Sequence, residues 1–184
     1  MMIVLKKILI SIFLLLPFVV VSQDLSDEEL KLYTMINDYR NSKGLKNIPI
    51  SKSLTFVAQT HARDLVNNKP YMGVNCNSHS WSNEGKWTSC CYTSDHVKKK
   101  CMWDKPRELT SYMGNGFEIA TGYLSNPEYK MTAEKALQSW KGSLGHNNVI
   151  INRDKWNVIE WNAIGIGIYK GFAVVWFGEE KDEN

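Results

Sequence analysis

Three residues that lie far apart in the sequence carry the groups of a candidate chemical site: His79, Glu118 and His146. Neutral imidazole nitrogen and carboxylate oxygen are the donors that a borderline divalent ion such as zinc accepts. Imidazole also exchanges protons near neutral pH, so the same residues are candidate catalytic acids or bases. The sequence therefore raises the hypothesis that these three side chains meet in one site.

The N-terminus has the features of a secretory signal peptide. Two lysines precede an apolar run at residues 8–21, and polar, acidic residues follow it. A transmembrane helix needs roughly 20 apolar residues, whereas this run is shorter and contains Pro17. We expect cleavage after residues 1–22, a secreted or periplasmic chain at residues 23–184, and no stable membrane anchor.

The charge balance argues against nucleic acid as a partner. The chain has 22 basic and 19 acidic residues, and removal of the signal peptide leaves 20 basic and 19 acidic residues. Phosphate binding needs a concentrated basic surface, and the run at residues 98–100 fits a solvated loop better than a phosphate site. The length after cleavage suits one domain, which we expect to be monomeric.

All four cysteines lie close together, at Cys76, Cys90, Cys91 and Cys101. In an exported protein, an even and clustered set predicts disulfides. A bond between the neighbours Cys90 and Cys91 would be strained, so we favour Cys76 with Cys90 and Cys91 with Cys101. The exchanged pairing, in which Cys90 and Cys91 swap partners, is a close alternative.

A zinc knot is a rival interpretation of the same region. It would use the four cysteines together with His79 and His96. The spacings are irregular for such a site, and an oxidising compartment favours disulfides.

Capping residues predict three helices. Ser26 and Glu29 form a capping box at the start of the first helix, and Gly44 is placed to end it in a left-handed conformation. A second helix should begin near Ser51, and a third after Thr132, with Gly142 and Gly145 as breakers.

His61 falls on the apolar stripe of the second helix. A buried imidazole usually needs only one hydrogen-bond partner, so a core role is favoured over a role as metal ligand.

The C-terminal third predicts strands. Ile164, Ile166 and Ile168 alternate with small or polar residues, and a turn leads into the β-favouring segment 172–177. These two segments should form an antiparallel hairpin, and we expect an earlier strand at residues 157–161. Helices followed by an antiparallel sheet define the α+β class.

The order of these parts resembles the secreted CAP superfamily, named for cysteine-rich secretory proteins, antigen 5 and plant pathogenesis-related type one proteins, and within it the bacterial SCP-like branch. Each fragment alone is weak, but their shared order is specific, and they cover most of the chain. The matching segments are Asn37-Asp38-Tyr39-Arg40 with Gly44-Leu45, His61-Ala62, Ser78-His79-Ser80, Gly116-Phe117-Glu118-Ile119-Ala120, Trp140 to Ile150, Ile164 to Gly167 and Val175 to Gly178.

The resemblance implies a three-layer α-β-α sandwich with a central, mainly antiparallel sheet. It also implies a surface cleft in which two histidines and two acids meet, and which in some members holds zinc or another divalent ion. His79, Glu118 and His146 match the family's positions, but Ser143 stands where a second acid would be. A site without that carboxylate has less negative charge for a cation. Beyond one such ion, we expect no cofactor.

A second departure is an insertion at about residues 74–105, which carries the cysteines. Its aromatic residues either cover the cleft, as ring surfaces for a glycan or peptide, or form a small core around the disulfides; the small core is favoured. These residues are Trp81, Trp87, Tyr92 and Trp103.

Three classes of function follow. The leading interpretation is a module that binds an extracellular or cell-envelope glycan, peptide or lipid, or that signals. The alternative is a hydrolase in which His79 or His146 acts as a base beside Glu118, with or without zinc. No nucleophile lies in an activating motif such as G-x-S-x-G. The third class is a purely structural envelope protein.

Overall fold

Residues 24–123 and 128–183 are described by a computed structural model of the protein. The predicted signal peptide, residues 1–22, lies outside this part of the chain. Within it, no helix combines the length and the apolar character needed to cross a membrane.

Six helices and three strands make up the described fold. The helices are α1 (Asp27–Asn41), α2 (Lys52–Asn67), α3 (Lys99–Trp103), α4 (Lys105–Leu109), α5 (Ala133–Gly142) and α6 (Leu144–Ile150), the strands are β1 (Phe117–Gly122), β2 (Ala163–Tyr169) and β3 (Phe172–Gly178), and two short 3-10 turns lie at Pro70–Met72 and Asp154–Trp156.

The predicted helix starts are confirmed. Ser26 and Glu29 form the reciprocal capping box of α1, and Gly44 follows that helix with φ +76°. The side chains of Ser51 and Thr132 accept the expected backbone hydrogen bonds at the starts of α2 and α5. One predicted helix breaker is wrong. Gly145 lies inside α6, because α5 ends at Gly142 and a new helix begins at Leu144.

The strand expected at residues 157–161 is also wrong. This segment follows a 3-10 turn and has no strand partner. The side-chain amide of Asn152 donates to the carbonyl oxygen of Trp156, just before this segment, and to that of Ile159 within it. A side chain therefore uses backbone acceptors that a neighbouring strand would need. The sheet's third strand is β1 instead.

The sheet has the order β1-β3-β2, and both pairings are antiparallel. Residues alternate between its faces. One face, with Ile119, Val175 and Ile166, packs in a core with residues of α1, α5 and α6. The other face packs against α2. The predicted α-β-α sandwich and the predicted β2–β3 hairpin are therefore confirmed.

Two glycines let α2 lie close against the sheet. A Cβ atom at Gly165 would lie 2.0 Å from the backbone of Leu54, and one at Gly167 would lie 2.3 Å from the backbone of Ala58. The next residue on this side of α2, one turn further on, is His61. The glycines of β2 therefore set the depth at which His61 sits over the sheet.

The disulfides link Cys76 to Cys91 and Cys90 to Cys101, so the favoured pairing was wrong and its exchanged alternative is correct. The zinc-knot interpretation is wrong as well, since all four thiols are bonded. The physical reason is the local backbone pairing: the N–H of Asn77 donates to the carbonyl oxygen of Tyr92, which places Cys76 beside Cys91, and Trp81 and Cys90 exchange two backbone hydrogen bonds. In extended backbone, successive side chains point to opposite sides, so Cys90 and Cys91 reach different partners.

Substitution of Gly167 by Ala should destabilise the fold, because the added methyl group meets helix backbone rather than a flexible side chain. Overpacking of this kind costs about 1–3 kcal/mol. Urea unfolding measures the loss, and Gly142→Ala is the matched control because its Cβ would meet nothing within 4 Å. Equal stability of the two variants would contradict the close helix–sheet contact.

Reduction of the disulfides should lower the melting temperature. The cross-links span 15 and 11 residues of chain, and loops of this size contribute about 2–4 kcal/mol each. Thermal unfolding with and without reductant measures the effect, and a non-reducing peptide map checks the pairing. A peptide that joins Cys76 to Cys90 would contradict the structure.

Candidate functional site: a buried glutamate between two histidines

Glu118 lies on β1, on the sheet face that packs against α2. Its neighbours on the sheet, Phe117 and Ile119, point into the opposite core. The carboxylate is therefore carried into the interior, where its side chain is fully buried. An isolated ionised group in that position would be very costly, so its partners decide whether the site is stable.

Both carboxylate oxygens of Glu118 are bound by imidazoles. Oε2 lies 2.5 Å from Nδ1 of His61, and Oε1 lies 2.5 Å from Nδ1 of His79. The other nitrogen of His61, Nε2, lies 2.9 Å from the carbonyl oxygen of Ser80. Because both partners of His61 are acceptors, this ring donates from both nitrogens while Glu118 is ionised.

These partners hold Glu118 in its charged form. Burial alone would raise the pKa of the carboxyl, but the charge and hydrogen bond of His61, with those of His79, outweigh it and lower the pKa from 4.5 to about 2. The cluster is thus a buried ion pair with a shared carboxylate. The carboxylate orients the ring of His79 through Nδ1. The other ring nitrogen, Nε2, has no partner within the cluster.

His146 joins the site from α6. Its ring centroid lies 6.5 Å from that of His79, and the two rings meet edge to face. Burial lowers the pKa of His146, repulsion from His79 lowers it further, and attraction to Glu118 opposes both. At neutral pH the ring is therefore uncharged and keeps a lone pair, as a metal ligand or a general base requires.

The three predicted residues line one cleft of about 780 Å³. The structure therefore brings His79, Glu118 and His146 together, while their chemical roles stay predictions. Ser143, which stands at the position of the missing acid, lines the same cleft. Four aromatic residues also line the cleft, Tyr92 and Trp103 from the insertion and Phe117 and Trp156 from the rest of the domain.

The insertion's aromatic residues divide between the two predicted roles. Trp81 and Trp87 turn inward: the Trp81 ring stacks on His61, with centroids 4.1 Å apart, and meets Trp87 edge to face. Tyr92 and Trp103 line the cleft. Trp81 and Tyr92 also join the buried cluster beneath α2, so the insertion is continuous with the domain's core.

Sequence reasoning missed the role of His61. The helical stripe indicated correctly that His61 is buried, but it could not indicate the partner, which comes from a strand 57 residues later. A usable signal was present: the alternation of Phe117, Glu118 and Ile119 places the acid on one sheet face and the apolar residues on the other.

The comparisons with known proteins agree with this architecture. The profile of the cysteine-rich secretory protein family, CAP, matches residues 33–172. The chain therefore belongs to this family. A search of curated protein sequences found no significant match.

Solved structures of bacterial proteins share the fold. An outer surface protein from Borrelia burgdorferi is 19% identical with a TM-score of 0.54, and the alignment covers 84% of this chain and 95% of that one. An extracellular protein with an SCP domain from Bacillus anthracis is 18% identical with a TM-score of 0.55, over 86% of this chain and 45% of that one. A cysteine-rich secretory protein from Staphylococcus aureus is 15% identical with a TM-score of 0.51, over 84% and 38%. This chain thus spans less than half of the Bacillus and Staphylococcus proteins.

Glu118 should make the free energy of unfolding depend on pH in the acid range. Its pKa is about 2 in the folded protein and close to 4.5 in an unfolded chain. Its contribution is therefore complete above about pH 4.5 and is lost as the pH falls toward 2. Urea unfolding between about pH 6 and pH 2.5, in EDTA, measures the slope.

Glu118→Gln should flatten this slope, because the titrating group is gone. Glu160→Gln, at an exposed position, controls for the removal of one carboxylate and should keep the wild-type slope. An unchanged slope in Glu118→Gln would contradict the buried ion pair.

Proposed function

We propose that this chain is a ligand-binding module that acts outside the cytoplasm, and that the cleft beside His79 and His146 is its binding site. The observation that carries this proposal is the complete engagement of Glu118: both oxygens are bound by imidazoles, and the side chain is fully buried. Such a carboxylate supports its neighbours and is not accessible to attack or deprotonate a substrate. The groups of this cluster that face the cleft are imidazoles, and aromatic and polar side chains line the cleft beside them, which suits recognition.

A location outside the cytoplasm is supported by three observations. The N-terminal residues have the pattern of a signal peptide. The two disulfides suit an oxidising compartment. Two of the structural neighbours are described as an outer surface protein and an extracellular protein.

We propose that His79 and His146 are the residues that would bind a divalent ion in this site. Glu118 has no free oxygen to offer, and within the described residues no three His, Cys, Asp or Glu side chains are close enough to hold an ion together. We propose that Glu118 accepts a hydrogen bond from Nδ1 of His79 and so fixes the orientation of that ring, as carboxylates do for metal-binding histidines. A bound zinc ion would supply a positive charge and open coordination positions for a polar group of the ligand.

One observation favours hydrolysis as a second candidate. A carboxylate at 2.5 Å from Nδ1 of His79 is the arrangement that orients a general base. In that case His79 would accept a proton from an attacking water at Nε2, while Glu118 would stay ionised and stabilise the charged ring. The substrate would be a cell-envelope peptide or glycan.

The double variant His79→Asn with His146→Asn separates these functions. Asn at position 79 keeps a donor for Glu118 but removes Nε2, so the fold should survive. With zinc or with EDTA, solubilised envelope glycans, peptides and lipids would be titrated into the isotope-labelled mature protein, residues 23–184. We expect NMR chemical-shift changes that are confined to residues of the cleft. The dissociation constant should rise at least about tenfold in the double variant.

Three outcomes would contradict this proposal. Release of product that disappears in the double variant would establish hydrolysis instead. A loss of folding stability with no ligand detected would indicate a structural role. Shifts that map away from the cleft, or that persist in the double variant but vanish in Tyr123→Leu, an exposed residue outside it, would place binding elsewhere.

A further inference from the structure

An aromatic strip runs along the cleft beside the histidines. Phe117 lies between two indoles: its ring centroid is 6.0 Å from that of Trp103 and 5.4 Å from that of Trp156, and both contacts are edge to face. Phe117 is buried, whereas Trp103 and Trp156 are partly exposed. The strip therefore offers two accessible indoles, one from the insertion and one from the turn Asp154–Trp156.

Polar side chains line the cleft that contains the strip. Asn115, Asn148 and Asp154 line the same cleft, together with Ser143 and His146. The amide and hydroxyl groups both donate and accept hydrogen bonds, and the carboxylate accepts them. Rings with polar side chains at their edges match a ligand that is apolar on its faces and polar at its rim.

This pattern argues against the other ligand classes. A lipid chain needs a continuous apolar lining, and here amides and charged groups share the cleft with the rings. A peptide that binds by strand addition needs a free sheet edge. At this end of β1 the edge is occupied, since the N–H of Gly116 donates to the carbonyl of Trp103 and the N–H of Glu118 faces the sulfur of Met102.

We infer that the cleft binds a glycan of β-1,4-linked N-acetylated hexoses. The inference rests on the proposed binding function. In such a chain the rings present flat faces of C–H groups, which pack on indoles, while hydroxyl and acetamido groups point outward to hydrogen-bonding side chains. Lys99 and Lys155 lie over the faces of Trp103 and Trp156, at 5.0 and 5.1 Å from the ring centroids. These flexible side chains move aside when a sugar ring takes the same face.

Titration with chitotetraose tests this inference in the mature protein. The indole N–H signals of the seven tryptophans would be followed by NMR, with Trp103 and Trp156 assigned by substitution. We expect saturable shifts of these two signals. Trp156→Leu, which keeps apolar volume but removes the ring, should weaken binding about tenfold or more, and Trp156→Phe should keep most of it.

Tyr123→Leu is the matched control, because Tyr123 is an exposed aromatic residue in a different groove. It should leave chitotetraose binding unchanged. Equal affinity of Trp156→Leu and Trp156→Phe would overturn the stacking, and so would shifts of other tryptophans alone. If a peptide or lipid micelle binds in the cleft and chitotetraose does not, the glycan inference fails and the proposed function survives. If none of them binds, both fail.

Discussion

The whole site depends on keeping one ionised carboxylate inside a protein core. Transfer of such a charge from water costs several kcal/mol even after relaxation, and the cost is repaid only when the partners are close and well oriented. Glu118 meets this condition through two imidazoles at 2.5 Å, one from α2 and one from the insertion. Loss of either partner would leave a buried charge that is only partly compensated, so the positions of α2, β1 and the insertion are coupled through this carboxylate.

The scaffold supplies the precision that this coupling needs. Gly165 and Gly167 bring α2 close to the sheet, which places His61 beside Glu118. Trp81 packs on the other side of His61 as a parallel ring, and the N–H and C=O of Trp81 pair with Cys90 of the disulfide-bonded insertion. These contacts tie the insertion to the core of the domain beside the cleft. The insertion contributes both to stability and to the wall on which a ligand would lie.

The four residues of the site fall into two pairs, His61 with Glu118 and His79 with His146. His61 is fully buried and has both nitrogens bonded, so its contribution is to neutralise and fix Glu118. His79 has one nitrogen on the carboxylate and faces the cleft with the other side of its ring, and His146 is held uncharged nearby. The proposed binding and proton transfer would both use His79 and His146, whereas Glu118, held by His61, orients the ring of His79.

The sequence by itself determined the helix starts, the β2–β3 hairpin, the family and the three residues that meet in the cleft, because caps, alternation and short motifs are local signals. It did not determine the partner of His61, the third strand or the disulfide pairing. Each of these depends on contacts between separate segments of the chain: Glu118 with His61, β1 with β3, and the backbone hydrogen bond from Asn77 to Tyr92 that places Cys76 beside Cys91. Residues 157–161 show the converse: the predicted strand does not form, and the side-chain amide of Asn152 donates to the carbonyl oxygen of Ile159, a backbone acceptor that a neighbouring strand would use. Tertiary structure decided these features because packing and hydrogen bonding select among conformations that local propensity leaves nearly equal in free energy.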